Sequence, residues 1–389
     1  MISATPATAM AGAGAAAGPD SAGAAVRCAV QQLDARPSAV VLFASSDLGP
    51  ARAAAQAQAA AGDVPVVGLT SDACLGAPGV VRGGCTALAL GSDIRTGVAV
   101  AEQADRDPRG AGRAAAAEAL AALGEATDHT VLLLLLDTRS GDQAEAVAGA
   151  YAVAGAAVPL AGGAAAGDPV AQLAHGRAYE RSVVALALGS DRPIGLGTAH
   201  GCRPLAAAPC IVTAADGPLI RELDGRPAES VYLEKLGAAG AAGERSFGVL
   251  AAAHPLAQPE LSGDVRLRHV VGRDGRGGLL CATRVPANAA VHIAEQSPET
   301  IVASGPAAGR AALRALDGAP AQAALVFDCA GRKHVVGQGL DAEAAAVLRG
   351  LDDGNGPPPL AGIYTRGEIG RLRGAKGDRN HAVVVVAFA

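Results

Sequence analysis

Asp328-Cys329-Ala330-Gly331-Arg332 sets a carboxylate, a thiol, a turn glycine and a guanidinium within five residues. Thr365-Arg366-Gly367-Glu368 supplies a second cation and a second acid. An arginine grips a carboxylate through two parallel hydrogen bonds. Arg332 or Arg366 holding a carboxylate, with Asp328 or Glu368 holding an ammonium, is the arrangement that suits a small zwitterion such as an amino acid. Gly331 and Gly367 let such a ligand approach the backbone. A thiol beside an arginine and a helix start is also a candidate nucleophile, so an enzyme acting through Cys329 is an alternative. The plainer readings are that Asp328 pairs with Arg332, that the second stretch is a surface turn, and that Cys329 is buried and inert.

Both stretches follow short apolar runs, Ala324-Leu325-Val326-Phe327 and Pro359-Leu360-Ala361-Gly362-Ile363-Tyr364. Such runs, bounded by turn residues, read as strands buried on both faces. With the helical segment between them they form a βαβ unit, and ligands of such units bind beyond the carboxyl ends of the strands. The same plan occurs twice earlier. Val40–Ser45 leads to Pro65-Val66-Val67-Gly68, and Val131–Leu136 leads to Pro159-Leu160-Ala161-Gly162. Each copy has Pro-x-x-Gly opening its second strand, an acid after it (Asp72, Asp168, Glu368) and a late apolar strand (Cys85–Leu90, Val183–Leu188, Ala382–Phe388). Proline suits the first residue of a strand. Aligning the copies puts Ser45 and Thr138 at the place of Cys329. Thr70, Ser71 and Asp72, with Gly162, Gly163 and Asp168, form a second candidate ligand site. The glycines there do not make a dinucleotide fingerprint.

The chain has 389 residues, a net charge of −5, 2% aromatics and no Trp. Its length favours two domains. No Lys/Arg cluster stands out, which argues against nucleic acid and against an anionic membrane surface. Seven scattered cysteines without Cys-x-x-Cys pairs suit a reducing cytoplasm. The start lacks the pattern of a signal peptide. Val147–Ala166 is uncharged, but Pro159 and its glycines fit a helix end followed by a strand better than a membrane span. The eight histidines show no zinc spacing, and no Gly-x-Ser-x-Gly follows a strand.

The expected fold is α/β, with two domains of mixed β-sheets covered by helices and built on three related βαβ–β units. Residues 1–19 read as a flexible Ala/Gly-rich tail, 20–215 as one domain and 216–389 as the other. After residue 215 come a strand at Leu219–Leu223, a helix begun at Pro227, an Ala/Gly-rich loop, and a hairpin around Asp274-Gly275. Ser297 then caps a long helix.

The chain resembles FIST-domain proteins, a FIST N part followed by a FIST C part. In the first part the likeness lies in Pro65-Val66-Val67-Gly68, Leu160-Ala161-Gly162-Gly163 and Gly167-Asp168. It continues through Glu222-Leu223-Asp224-Gly225-Arg226-Pro227. In the second it lies in Cys329-Ala330-Gly331-Arg332, Gly367-Glu368-Ile369-Gly370 and Asn380-His381. The resemblance implies a cytoplasmic sensory module that binds a small ligand. The chain shows no output domain, so it is expected to signal through a separate protein such as a histidine kinase or cyclase. No cofactor is expected. A haem-based nitric oxide sensor is the alternative that the family raises, with His334 as the candidate axial ligand.

Overall fold

A computed structural model describes residues 10–124, 127–205, 208–238, 243–260, 265–371 and 377–389. The first unit runs β1 (Ala11–Ala17), α1 (Ser21–Val30), β2 (Ala39–Ser45), α2 (Pro50–Ala61), β3 (Val66–Ser71), the hairpin β4 (Cys74–Gly76) and β5 (Gly79–Val81), and β6 (Gly84–Leu90). The second repeats that order as β7 (Arg95–Ala101), α3 (Pro108–Leu123), β8 (His129–Leu136), α4 (Gln143–Ala154), β9 (Leu160–Ala164), β10 (Gln172–Ala174), β11 (Arg177–Tyr179) and β12 (Val183–Ser190). The third opens with β13 (Ile194–His200) and is then interrupted. The insert comprises β14 (Arg203–Pro204), β15 (Cys210–Asp216), β16 (Leu219–Leu223), β17 (Arg226–Pro227), α5 (Ala228–Lys235), α6 (Glu244–Ala253), β18 (Leu256–Pro259), β19 (Val265–Arg268), β20 (Val270–Arg273), β21 (Leu279–Cys281) and β22 (Ala290–Glu295). The unit resumes with α7 (Pro298–Arg314), β23 (Ala323–Cys329), α8 (Ala330–Val336), α9 (Leu340–Gly350), β24 (Leu360–Thr365), β25 (Glu368–Arg371), β26 (Asp378–Arg379) and β27 (Ala382–Phe388).

Each unit builds a mixed sheet from its first, last, core and second strands, in that order, and borrows a hairpin for the far edge. The sheets are β1-β6-β2-β3-β10-β11, β7-β12-β8-β9-β25-β26 and β13-β27-β23-β24-β4-β5. Unit one thus takes unit two's hairpin, unit two takes unit three's, and unit three takes unit one's. The ring closes and the two domains interlock. Alternate residues of the double-buried strands explain the continuous apolar runs. Val41, Phe43, Leu133, Leu135, Leu325 and Phe327 point into one interior shared by the three sheets. Val40, Leu42, Leu132, Leu134, Ala324 and Val326 point out under the helices. Phe43 and Phe327 meet edge to face in that interior, 5.6 Å between ring centres.

The Pro-x-x-Gly segments are equivalent. The carbonyls of Pro65, Pro159 and Pro359 accept from Val40, Leu132 and Ala324 at 2.9, 3.0 and 2.9 Å. A Cβ on Gly68 or Gly162 would lie 1.7 or 2.1 Å from the Leu42 or Leu134 carbonyl oxygen, so no larger residue fits. The following acids are not equivalent. Gly68, Gly162 and Gly362 pair across with Leu173, Ile369 and Leu75, which puts Glu368 level with Gln172 and Cys74. Asp168 falls instead in a longer turn. The parallel ladders likewise align Ser45 and Cys329 with Asp137 rather than Thr138.

Residues 11–17, read from composition as tail, form β1, and residues 1–9 lie outside the described residues. The strand carries no large side chain because α1 lies against its backbone. A Cβ on Gly12 or Gly14 would sit 2.1 or 2.0 Å from the carbonyl oxygens of Ala29 or Ala25. Disorder and close helix–strand contact both select small residues, and composition does not separate them. The first strands of the other units repeat the contact at Gly97, Gly195 and Gly197. A Cβ on Gly197 would lie 2.0 Å from the Ala308 carbonyl oxygen. Gly197→Ala is therefore expected to cost about 1–3 kcal/mol by overpacking, read as a lower urea midpoint. An unchanged midpoint would mean that α7 does not rest on β13.

The insert forms a nine-stranded sheet with its own core around Tyr232 and Phe247. The hairpin at Asp274-Gly275 is β20–β21, and Ser297 caps α7 through a capping box. The Ala/Gly-rich stretch read as loop contains α6. Val147–Ala166 divides into the end of α4 and β9. Among the described residues no helix is long and apolar enough to cross a membrane.

Candidate functional site

β23 and β24 run parallel and end together, Cys329 opposite Thr365. Beyond them lies a cavity of about 410 Å³. Cys329, Ala330 and Gly331 form one side, Arg366 and Gly367 the other, and His334 stands at the edge. Unit two contributes Thr138 and Gln143, and the insert contributes His269, Val271 and Ala282. Asn380 completes the wall. Of the residues expected at this site, Cys329, Gly331, Arg366 and Gly367 line the cavity, as does His334, the candidate axial ligand of the haem alternative.

Arg332 does not. It is fully buried and binds Glu343 at 2.8 Å and Asp328 at 3.2 Å, with Ser304 and the Ile301 carbonyl each at 3.4 Å. It ties α8 to β23, α7 and α9, so Asp328 and Arg332 pair with each other and present nothing to a ligand. Burial pushes both Asp328 and Glu343 up, against the pull of the guanidinium. Asp328 Oδ2 and Glu343 Oε2 lack partners among the described residues.

Thr365 and Glu368 are also buried, under the floor of the cavity. Thr365 Oγ1 lies 3.1 Å from the Asp328 carbonyl and 3.0 Å from Glu368 Oε1. A hydroxyl has one proton. If it goes to the carbonyl, Glu368 must supply the proton of the second bond. Burial pushes Glu368 up to about 8, which agrees with a neutral acid. Cys329 Sγ accepts from the backbone N–H groups of Gly331 and His381, each at 3.3 Å. Burial and the adjacent Glu368 push the Cys329 thiol well above its ordinary value. It is a protonated thiol, poorly suited to nucleophilic attack.

Of the residues of the second expected site, none lines this cavity. The strand ends of the three units cross instead in a ring. The carbonyls of Thr70 and Ala164 accept from the N–H groups of Ala166 and Arg366 at 3.0 Å each. The Tyr364 carbonyl accepts from the Ser71 hydroxyl at 2.6 Å. Thr70 and Ser71 are buried in these crossings. Gly162 and Gly163 are strand residues chosen for close approach, and Gly163 packs on Thr365. Asp72 pairs with Lys333, linking unit one to α8. Asp168 is exposed and apart from the cavity.

His269 and Gln143 carry no signal near the two motifs, since they arrive from the insert and from another unit of the ring, and Thr138 is marked only as the counterpart of Cys329 in the second copy. Asn380 and His381 belong to the motifs that carry the family resemblance, and the structure brings both to this site. His381 is fully buried against His269, with ring centres 4.6 Å apart. Among the described residues no three His, Cys, Asp or Glu side chains converge to hold a metal.

A FIST N domain model matches residues 38–226, and a FIST C domain model matches residues 228–371. No curated protein matches the chain. Among solved structures, cyanuric acid hydrolase from A. caulinodans is similar at a TM-score of 0.28 and 12% identity, over 48% of this chain and 72% of that one. A likeness that slight carries nothing across.

Proposed function

The chain belongs to the FIST family, its two domain matches together spanning nearly the whole sequence, and on that footing we propose that it is a sensory protein that binds a small carboxylate in the cavity beyond β23 and β24. Its signal passes to a separate protein such as a histidine kinase or cyclase. The observation that carries the ligand reading is Arg366. It stands exposed at the cavity wall, with no ion-pair partner among the described residues, whereas Arg332 and Lys333 are already engaged by acids.

An amino acid fits this reading through its carboxylate end. Its ammonium would meet neutral acceptors on Thr138, Gln143 and Asn380, because Asp328 and Glu368 lie buried behind the wall. The test is calorimetric titration of amino acids and simple carboxylates into wild type and Arg366→Gln. A charge-assisted contact contributes roughly 1.5–3 kcal/mol, so Arg366→Gln should weaken binding about ten- to a hundredfold. The exposed position should leave the melting temperature unchanged. Equal affinity in the two proteins would move the ligand away from Arg366.

A further inference from the structure

A second chamber of about 600 Å³ opens beside the first, and His269, Val271 and His334 line both. Its wall is largely apolar: Val249, Ala252 and Ala253 from α6, Val270 from β20, and Val335 from α8. Val249 is 70% exposed and Val271 49%. Large apolar side chains gathered in a concave surface mark a place where apolar matter docks. The carboxylate reading leaves this chamber without a use.

The residue at the junction is set in one protonation form. Gln296 Nε2 donates to the Ala252 carbonyl at 2.8 Å, while its Oε1 accepts from the Cys202 thiol at 3.2 Å. That orientation turns the amide N–H side toward His381 Nδ1, 2.7 Å away. His381 then carries its proton on Nε2 and donates it to His269 Nδ1 at 2.7 Å. His269 is left with its own proton on Nε2, which has no partner among the described residues. Burial holds His269 down to about 4, so this neutral form persists across the physiological range. His269 is thus a fixed hydrogen-bond donor where the polar and apolar chambers meet.

We propose that the two chambers hold one ligand, an amphipathic carboxylate whose head lies between Arg366 and His269 and whose apolar tail fills the space between α6 and β20. This rests on the carboxylate reading above and narrows it from bare amino acids to acids with an aliphatic or aryl tail. The occupant follows from continuity. A molecule held at Arg366 and His269 has its remainder directed either to solvent or into the apolar chamber, and only the second removes apolar surface from water.

The experiment titrates the full chain with acetate, octanoate and octanamide. Gly248 lines the apolar chamber, and a Cβ there would meet nothing within 4 Å. Gly248→Trp therefore adds bulk at the chamber wall with no clash at the Cβ, and the chain has no other tryptophan to mask its fluorescence. Wild type should bind octanoate roughly a hundredfold more tightly than acetate, given the methylenes buried. Gly248→Trp should abolish most of that tail preference. Arg366→Gln should abolish the preference for octanoate over octanamide. Octanoate binding no tighter than acetate would overturn the amphipathic ligand and leave the small-carboxylate reading standing. Failure of both acids to bind would end both. Self-association in sedimentation, relieved by Gly248→Trp and unaffected by octanoate, would overturn the amphipathic ligand alone, because a second copy would then occupy the apolar chamber.

Discussion

Arg332→Ala is expected to destabilise the fold by roughly 3–5 kcal/mol, the penalty of leaving buried charges without their partner. Among the described residues the guanidinium is the cation that pairs with these two buried carboxyls. Asp328 and Glu343 would have to protonate or remain charged in an apolar interior, and the hydrogen bonds to Ile301 and Ser304 would be lost as well. The deletion also leaves a cavity between β23, α7 and α9. Urea unfolding measures the effect. A companion protein carrying Asp328→Asn, Arg332→Met and Glu343→Gln should recover part of the loss, since neutral groups of similar volume carry a smaller desolvation penalty than unpaired charges. If Arg332→Ala is as stable as wild type but no longer binds ligand, the arginine belongs to the site after all.

Glu368→Gln should have the opposite sign, stabilising the protein at neutral and alkaline pH. Glu368 has its folded value raised from 4.5 to about 8 by burial. Below pH 4.5 both states are protonated and the acid costs nothing. Between 4.5 and 8 the unfolded chain releases a proton that the folded chain keeps, so stability falls as pH rises. Each unit of separation is worth about 1.4 kcal/mol, which makes the cost at pH 8 up to roughly 4 kcal/mol. A glutamine amide can donate to Thr365 Oγ1 as the neutral acid does, and its oxygen can still accept from the Ala382 N–H, 3.3 Å away in the native chain. The variant should gain stability progressively over this window and match wild type near pH 4. A gain independent of pH, or a loss at pH 8, would mean that Glu368 is ionised in the native protein.

The sequence by itself determined the local elements and their repetition. Double-buried strands, Pro-x-x-Gly and the late apolar runs are written in residue types whose constraints act within a strand or with its immediate neighbour. Cys329, Gly331, Arg366 and Gly367 were legible as cavity residues for the same reason, since the ends of two parallel strands lie together whatever surrounds them. Tertiary structure decided the rest. The sign of a charge in the sequence does not say whether water or another charge will meet it. Asp328 and Arg332 became a buried pair because α7 and α9 close over them, while Arg366 is exposed among the described residues. β1 was hidden among alanines and glycines because its role is to let α1 approach, and an absence of side chains has no pattern to read. The hairpin exchange, and with it the arrival of Thr138, Gln143 and His269 at one cavity, depends on contacts between residues far apart in the chain. The apolar surface of the shared interior is buried only when all three units are present, and no short stretch records that condition.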